Sequence, residues 1–333
     1  MKIIVDAFGG DNSPSSVIKG TVAALDAKKG FSVVLTGDEK TTRDLLTAEN
    51  ADFSRIEIIH APEIITCEEA PATAVKAKKN SSIVKGFEAL NTDPDAAGFV
   101  SCGSTGAVLT AAIMYTKRIG NIRRASLTPV LPTIKGGNVV LIDSGANPEC
   151  TADMLLQFAK MGSVFAEAVL DIKTPRVAIL SNGTEDLKGN TLVKEAFALI
   201  KEDASLNFIG QTEGRDIMSG NIDVVVSDGF SGNIALKSSE GVALGMFDII
   251  KQNIMAGGLR AKIGYLFLKP ALKKVAKTMD YNEKGGAVLL GLNKLIIKGH
   301  GASGDKAVKS AILQAVNYAE SDLVGRITKA FIS

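Results

Sequence analysis

The chain has 333 residues, of which 46% are hydrophobic and 22% charged, and its formal net charge is +2. This composition is typical of a globular protein and excludes extended disorder, which combines low hydrophobicity with high net charge. The near balance of acidic and basic residues excludes a chain-wide nucleic-acid-binding surface, so we expect no nucleic-acid partner.

Short apolar runs rich in β-branched residues predict buried strands. In chain order they are KIIVDAF, FSVVLTG, IEIIHAP, AAGFVSCG, NVVLIDSG, RVAILSNG, DVVVSDG and a shorter LIIK at Leu295. Helical patterns separate most of them, at Ser15 to Lys28, Thr73 to Leu90, Ala107 to Tyr115, Thr151 to Leu170 and Thr191 to Glu202. This alternation predicts an α/β fold of three layers, α/β/α, with a large, mainly parallel sheet.

The length allows either two subdomains or one large sheet. No linker, low-complexity tract or repeat offers a boundary, so we predict a single domain over residues 1–333. Met1 leads directly into the first strand without a signal peptide, and no run approaches the ~18 apolar residues of a membrane span. We expect a cytoplasmic protein that is soluble or at most peripherally attached to a membrane.

Small polar loops follow most of the predicted strands. They read DAFGGD, LTGD, SCGSTGA, DSGAN, SNGTED and SDGFSGN. In open α/β proteins ligands bind at the carboxyl ends of the strands, where small residues let backbone N–H groups approach a phosphate. Each loop alone could be only a turn, but the set predicts one anion-binding site.

A basic segment at about residues 249–279 contains no acidic residue. Its apolar residues fall at helical spacing, and Pro270 suits the first position of a second helix. We therefore predict a basic amphipathic helical pair that contacts an anionic membrane or an acidic partner, with an ordinary solvated helix face as the alternative. The candidate surface residues are Arg260, Lys262, Leu266, Leu268, Lys273 and Lys274.

Histidine and cysteine offer little material for nucleophilic catalysis. The chain has only His60 and His300, and its three cysteines are too widely spaced for a disulfide framework or a zinc site. Cys102 follows a strand and is a candidate nucleophile, but free cysteine is commonly a small buried hydrophobe. GHGASG at Gly299 lacks the second strand with an acidic end that dinucleotide binding needs, and the chain has no Walker A sequence. We expect no cofactor, although acidic loop residues leave Mg²⁺ conceivable.

Read in order, the loops resemble those of the bacterial acyl-acyl-carrier-protein:phosphate acyltransferases over nearly the whole chain. The segments that carry the resemblance are DAFGGD at Asp6, SCGSTGA at Ser101, DSGAN at Asp143, SNGTEDLKGN at Ser181, EGRDI at Glu213, DVVVSDGFSGNIALKSSEG at Asp223, DYNEKGGAVLLGLN at Asp280 and KGHGAS at Lys298. The family tends to have Ala in place of Cys102 and Asn in place of Ser104, which makes a cysteine nucleophile less expected.

The resemblance implies transfer of a long-chain acyl group from acyl carrier protein (ACP) to inorganic phosphate, which yields acyl phosphate for phospholipid synthesis. It implies a homodimer with a fold similar to the isocitrate and isopropylmalate dehydrogenases, without a nicotinamide cofactor. The product would pass to a membrane glycerol-3-phosphate acyltransferase, a further expected partner.

The expected chemistry needs little acid–base help, because phosphate is already anionic and a thiolate leaves with a conjugate pKa of ~8.5. It needs a cationic, N–H-rich pocket and donors to the developing oxyanion. Lys188 is the candidate for phosphate and Asn233 for the oxyanion, and both could instead be turn formers. The remaining candidate substrate-binding residues are Gly9, Gly10, Asp11, Ser104, Thr105, Gly106, Asp143, Asn147, Glu185, Asp228, Gly232 and His300, of which Asp143, Asn147 and Asp228 could fix loops or bind water.

Three alternatives remain open. A phosphate acetyl- or butyryltransferase that uses coenzyme A would need the same kind of Gly-rich anion-binding loops. A catalytically inactive peripheral scaffold could recruit partners through the basic segment, but it has no need of five Gly-rich anion loops. A nicotinamide dehydrogenase fits the fold but not the motifs.

Overall fold

The computed structural model describes residues 1–279 and 285–332, except the side chains of Leu259, Lys262 and residues 276–279. Within these residues the strands are β1 (Lys2–Asp6), β2 (Ser32–Gly37), β3 (Ile56–His60), β4 (Ala96–Ser101), β5 (Ser126–Thr128), β6 (Val130–Pro132), β7 (Asn138–Ile142), β8 (Arg176–Leu180), β9 (Asn207–Thr212), β10 (Val224–Val226), β11 (Ala287–Leu290) and β12 (Leu295–Lys298). The α-helices are α1 (Ser15–Ala27), α2 (Glu39–Ala48), α3 (Pro71–Ala77), α4 (Ser82–Thr92), α5 (Thr105–Thr116), α6 (Ala152–Leu170), α7 (Thr191–Glu202), α8 (Gly229–Ala256), α9 (Gly258–Met279), α10 (Asp305–Glu320) and α11 (Leu323–Ile332).

The strands form two sheets. The first has seven strands in the order β3-β2-β1-β4-β12-β11-β5, and the second has five in the order β6-β7-β10-β8-β9. The strand β11 pairs antiparallel with β12 and β5, and β6 pairs antiparallel with β7, while the other strand pairs within the described residues are parallel. The predicted mainly parallel α/β fold is confirmed, with the strands divided between two sheets.

The core explains why the strand sequences are apolar without alternation. Ile3 and Ile4, which point to opposite faces of β1, are both fully buried. The largest apolar cluster includes Val5 of the first sheet, Val140 of the second and Phe158 of α6, so one continuous core joins the two sheets. This shared core fixes how the loops of one sheet face those of the other.

The predicted strands all form, whereas β5, β6, β9 and β11 were not predicted from the sequence. The single helix expected over Thr73 to Leu90 is two helices, α3 and α4. The hydroxyl of Ser81 accepts a hydrogen bond from the N–H of Val84 at 3.4 Å, and this cap begins α4 as a separate helix.

The helical pair after residue 228 differs from the prediction at Pro270. The break lies at Gly257 and Gly258, where Gly258 has φ +69°, and α9 continues through Pro270. Glycine adopts this left-handed conformation without a steric penalty. Pro270 only removes one N–H donor to the carbonyl of Leu266, and an exposed helix can satisfy that carbonyl with water. Placing Pro270 at the start of a helix was therefore wrong.

Both helices of the pair are mostly exposed. In α8 only Gly229 and Gly232 are buried, and the apolar side chains of Leu266, Phe267 and Leu268 in α9 are 67%, 82% and 56% exposed. Across residues 1–279 and 285–332, the helices include none with the length and apolar character needed to cross a membrane.

Candidate active site

Three loops meet at the carboxyl edge of the first sheet, after β1, β4 and β12. The hydroxyl of Ser101 donates to the carboxyl of Asp6 at 2.6 Å and accepts from the N–H of Gly103 at 3.0 Å. The N–H of Gly299 bonds to the carbonyl of Ser101 at 2.9 Å, and that of Asp11 to the carbonyl of Gly301 at 2.8 Å. These bonds fix the three loops as one unit.

Glycine is required in the first of these loops. A Cβ at Gly9 would lie 2.3 Å from a carboxyl oxygen of Asp6 and 2.7 Å from the backbone nitrogen of Gly103. Gly10 has φ +102°, a conformation that other residues rarely adopt. The two glycines of DAFGGD therefore allow the backbone of this loop to pack closely against the backbone of the neighbouring loops.

Three ionisable side chains are buried in this unit. Burial raises the pKa of Asp6, and the hydrogen bond from the Ser101 hydroxyl partly opposes this rise. Burial raises the pKa of the Cys102 thiol, so the thiol form is favoured. Burial lowers the pKa of Lys298, which is 7% exposed.

Asp143 organises the loop after β7 in the second sheet. Its carboxyl accepts hydrogen bonds from the backbone of Leu127 at 2.8 Å and of Asn147 at 2.7 Å, and from the Asn147 side chain at 2.8 Å. The N–H groups of Gly145 and Ala146 also donate to it. Burial raises the pKa of Asp143, and these donors oppose the shift. Asp143 and Asn147 thus hold the loop rather than present free polar atoms.

The amino end of α8 packs onto the same loop. Asp228 caps the helix, since its carboxyl accepts from the N–H and the hydroxyl of Ser231 at 2.8 Å and 2.9 Å. Gly232 lies against the carbonyl of Asp143. The side chain of Asn233 lies beside Gly145, where an added Cβ would be 3.9 Å from the Asn233 amide oxygen. The structure thereby places Asn233 at the loop DSGAN.

A cavity of about 250 Å³ lies between the two sets of loops, and we call it the central cleft. Residues of the first sheet and its helices line one side, with Thr105, Lys298 and His300 among them. Ser144 and Leu236 line the other side. Ser104, the cap residue of α5, makes no side-chain hydrogen bond to the first turn, so N–H groups of that turn remain available beside Thr105.

A second cavity of about 500 Å³ lies on the other side of α8, and Asn182, Asn190, Asp228 and Ile234 line it. The adjoining loop after β8 carries Lys188 and Glu185, both exposed. A Cβ at Gly183 would meet the side chains of both, at 2.7 Å and 2.8 Å. Lys188 and Glu185 therefore lie side by side over Gly183, outside the residues that line the central cleft.

The structure thus divides the predicted site residues into groups. Gly9, Gly10, Asp11, Ser104, Thr105 and His300 belong to the first sheet's loops, and Asp143, Asn147, Asp228, Gly232 and Asn233 to those of the second. Gly106 is explained by packing, because a Cβ there would lie 2.6 Å from a ring carbon of Pro71. His300 is exposed and its Nδ1 accepts from the N–H of Ala302 at 3.1 Å.

The basic surface residues Arg260, Leu266, Leu268, Lys273 and Lys274 lie on α9 and are exposed, whereas the Lys262 side chain lies outside the described residues. Residues 280–284 of the motif that begins at Asp280 also lie outside the described residues.

Lys298 and Ser144 are polar residues that line the cleft but were not among the predicted site residues. Lys298 is the last residue of β12 and pairs with Ser101 at the end of β4, and β4 in turn pairs with β1, which ends in Asp6. The sequence did contain a signal for Lys298, because a lysine at the end of an apolar strand, directly before a Gly-rich loop, is placed where ligands bind.

Comparison with known proteins shows which family the chain belongs to. The family model described as fatty acid synthesis protein matches residues 1–326. A phosphate acyltransferase of Clostridium novyi is 44% identical over 328 residues, which cover 98% of this chain and 97% of that protein. The chain belongs to the phosphate acyltransferase family. As a member of this family it is an acyltransferase, as the loops had led us to expect.

Solved structures of distant sequence share the fold. A phosphotransacetylase from Streptococcus pyogenes matches with a TM-score of 0.65 at 19% identity and covers 97% of this chain and 94% of its own. A structure described as a 4-hydroxythreonine-4-phosphate dehydrogenase from Salmonella typhimurium matches with a TM-score of 0.54 at 14% identity over 95% of this chain and 98% of its own. The predicted dehydrogenase-like fold is confirmed by the second match.

Proposed function

We propose that this acyltransferase transfers a long-chain fatty acyl group from acyl-ACP to inorganic phosphate and so supplies acyl phosphate for phospholipid synthesis. The observation that carries the proposal is the central cleft, where N–H-rich loops from the carboxyl edges of both sheets face one cavity. Such loops suit a small polyanion. The family membership supports acyl transfer as the reaction and phosphate as the acceptor.

The geometry suits a direct attack of phosphate on the thioester. Phosphate is a competent nucleophile near neutral pH and the thiolate leaves without strong acid catalysis. The developing oxyanion needs donors, which the first turn of α5 at Thr105 would supply in the cleft, while the amide of Asn233, beside Gly145 and outside the residues that line the cleft, is a second candidate donor. Lys188 would add positive charge from the loop after β8.

The decisive experiment measures phosphate-dependent release of the ACP thiol from palmitoyl-ACP by the purified protein. Acyl phosphate should form in equal amount. Absence of thiol release with phosphate present, while palmitoyl-ACP remains intact, would reject the proposal.

A coenzyme A-dependent phosphotransacylase is the second candidate, because the phosphotransacetylase from Streptococcus pyogenes shares the fold over nearly the whole chain. The two are separated by competition between palmitoyl-ACP and palmitoyl-CoA at equal concentration. Preferential use of the coenzyme A ester would favour the second candidate.

The exposed helices α8 and α9 would contact the partners of the protein, which are ACP, the membrane and a second copy of the chain. ACP is acidic and anionic lipid is attracted to the same kind of surface, so the basic residues of α9 suit either one. The exposed Leu266, Phe267 and Leu268 add an apolar contribution that favours peripheral membrane contact near the membrane acyltransferase that consumes acyl phosphate. The exposed Val242 and Ile249 of α8 suit pairing with a second copy of the chain as a homodimer.

A further inference from the structure

Lys298 occupies an unusual position at the central cleft. It ends β12, only 7% of its surface is exposed, and it lines the cleft together with Thr105 and His300. Its Nζ donates a hydrogen bond to the carbonyl of Gly299, the next residue. Lysine is seldom buried to this extent unless a negative group compensates its charge.

Among the described residues no carboxylate forms an ion pair with Lys298, and Asp6 and Asp11 attract its charge only partly against the effect of burial. The ion pairs within residues 1–279 and 285–332 do not include Lys298. Asp6 is buried at the same edge of the sheet, on β1, which β4 separates from β12, and its oxygens already accept from the Ser101 hydroxyl at 2.6 Å and from the N–H of Phe8 at 3.2 Å. A buried ammonium group without a carboxylate partner carries a desolvation penalty that an anionic ligand in the cleft would relieve.

We propose that Lys298 binds the phosphate substrate, with its ammonium group on the wall of the central cleft and the N–H groups of the surrounding loops around the remaining oxygens. That the bound phosphate is the substrate rests on the proposed function. That Lys298 binds an anion does not depend on it. Gly299, His300 and Gly301 line the cleft next to Lys298, so the loop after β12 forms this part of its wall.

Exposed Lys188 competes for the same role but is less suited to it. Charge–charge attraction in a site shielded from water is stronger than at an exposed position, where solvent and salt screen it. Lys298 is nearly buried at the cleft and Lys188 is exposed outside its lining. We therefore expect Lys298 to contribute more to phosphate affinity than Lys188.

Phosphate binding should depend on the protonation of Lys298. Burial lowers the pKa of Lys298, so alkaline pH neutralises it before it would neutralise an exposed lysine. A bound dianion favours the charged form, and phosphate binding at alkaline pH should take up a proton. The titratable or charged groups that face Lys298 or line the cleft with it are Asp6, Asp11, Cys67, Cys102, Lys237, Glu240 and His300.

Binding of inorganic phosphate to the purified full-length protein, measured by titration calorimetry without any acyl donor, tests the proposal. Lys298→Met removes the charge but keeps an unbranched side chain of similar length, and it should weaken phosphate binding about tenfold or more. Lys173→Met is the matched control, because Lys173 is exposed and precedes β8, away from the carboxyl edge of the strands. Unchanged phosphate affinity in the Lys298→Met protein would overturn the proposal.

A second measurement needs no variant. Calorimetry at a series of pH values from about 8.5 upward, where phosphate is already a dianion, in two buffers of different ionisation enthalpy should show proton uptake by the wild-type protein as the pH reaches the lowered pKa of Lys298. Absence of proton uptake at every pH of the series, or absence of phosphate binding altogether, would also overturn it. If the wild-type protein binds phosphate but releases no thiol from palmitoyl-ACP, the proposed function is rejected. The role of Lys298 in anion binding is then unaffected.

Discussion

Gly232 and Asp143 lie in direct backbone contact, so that a Cβ at Gly232 would be only 1.9 Å from the carbonyl oxygen of Asp143. The hydroxyl of Ser227 lies on the same side and donates to that carbonyl at 3.0 Å. The contact sets the first turn of α8 onto the loop after β7, and Asn233 follows directly after this turn. The position of a candidate catalytic amide thus depends on the absence of a side chain one residue earlier.

Gly232→Ala should lower both stability and activity. The added methyl group meets backbone, which cannot move aside as a flexible side chain can, so we expect a loss of about 1–3 kcal/mol in the free energy of unfolding. Displacement of Asn233 should lower kcat as well. Gly241→Ala in the same helix is the control, because a Cβ there meets nothing within 4 Å and should be neutral or slightly stabilising. Equal effects of the two substitutions would contradict this explanation.

Asp143→Asn should destabilise the protein although it changes only one atom. Both carboxyl oxygens of Asp143 accept from N–H groups, Oδ1 from Leu127 and Oδ2 from Asn147 among others. An amide NH₂ in either place would face other donors and leave buried groups unpaired, each at about 1–3 kcal/mol. Thermal unfolding measures the loss, and an unchanged melting temperature would show that the loop is held by other contacts.

The sequence was informative where local chemistry decides the structure. The apolar run of β1 and the Gly-rich loop at Gly9 and Gly10 both follow from the residues themselves, because burial on two faces and positive φ leave few alternatives. The short strand β5 was not predictable, since Ser126–Thr128 acquires its strand conformation by pairing with β11, far away in the chain. The position of Lys298 at the cleft similarly depends on β12 lying beside β4, which is long-range topology.

Cys102→Ala should retain most of the activity. The thiol is 4% exposed and burial raises its pKa, so it is a poor nucleophile at neutral pH. Initial rates of thiol release from palmitoyl-ACP check this, with mass spectrometry as the companion measurement. An alkylating reagent should modify exposed Cys67 before Cys102. A trapped acyl-enzyme at Cys102 would reverse the mechanism.

Lys188→Ala should raise the phosphate KM and lower kcat while it leaves the fold intact by circular dichroism. The side chain is exposed, so its removal leaves no cavity. Solvent screens an exposed charge, and the rise in phosphate KM should be smaller than for Lys298→Met. Glu185→Ala is the control for the loop, because Glu185 shares the contact with Gly183 but carries the opposite charge. Unchanged kinetics for Lys188→Ala would exclude this lysine from the site.

The exposed residues of α9 should give a salt-sensitive attraction to anionic vesicles, to ACP, or to both. Exposed charges are screened over ~8 Å at physiological ionic strength, so added salt should weaken binding that charge dominates. Leu266→Glu with Leu268→Glu tests the apolar contribution, because both side chains are more than half exposed and their replacement should not disturb the core. Lys273→Glu with Lys274→Glu tests the charge on the same helix.

The two double substitutions distinguish membrane binding from ACP binding. If α9 serves the membrane, the leucine pair should release the protein from vesicles that contain anionic lipid, while the rate on soluble palmitoyl-ACP is retained. If it serves ACP, the lysine pair should raise the palmitoyl-ACP KM and leave vesicle binding nearly unchanged. Light scattering checks that each variant keeps the oligomeric state of the wild-type protein, since a change of assembly would alter both readouts together. Should neither pair affect either partner, the exposed apolar residues of α9 belong to contacts between copies of the chain, and the membrane and ACP roles of α9 would both be rejected.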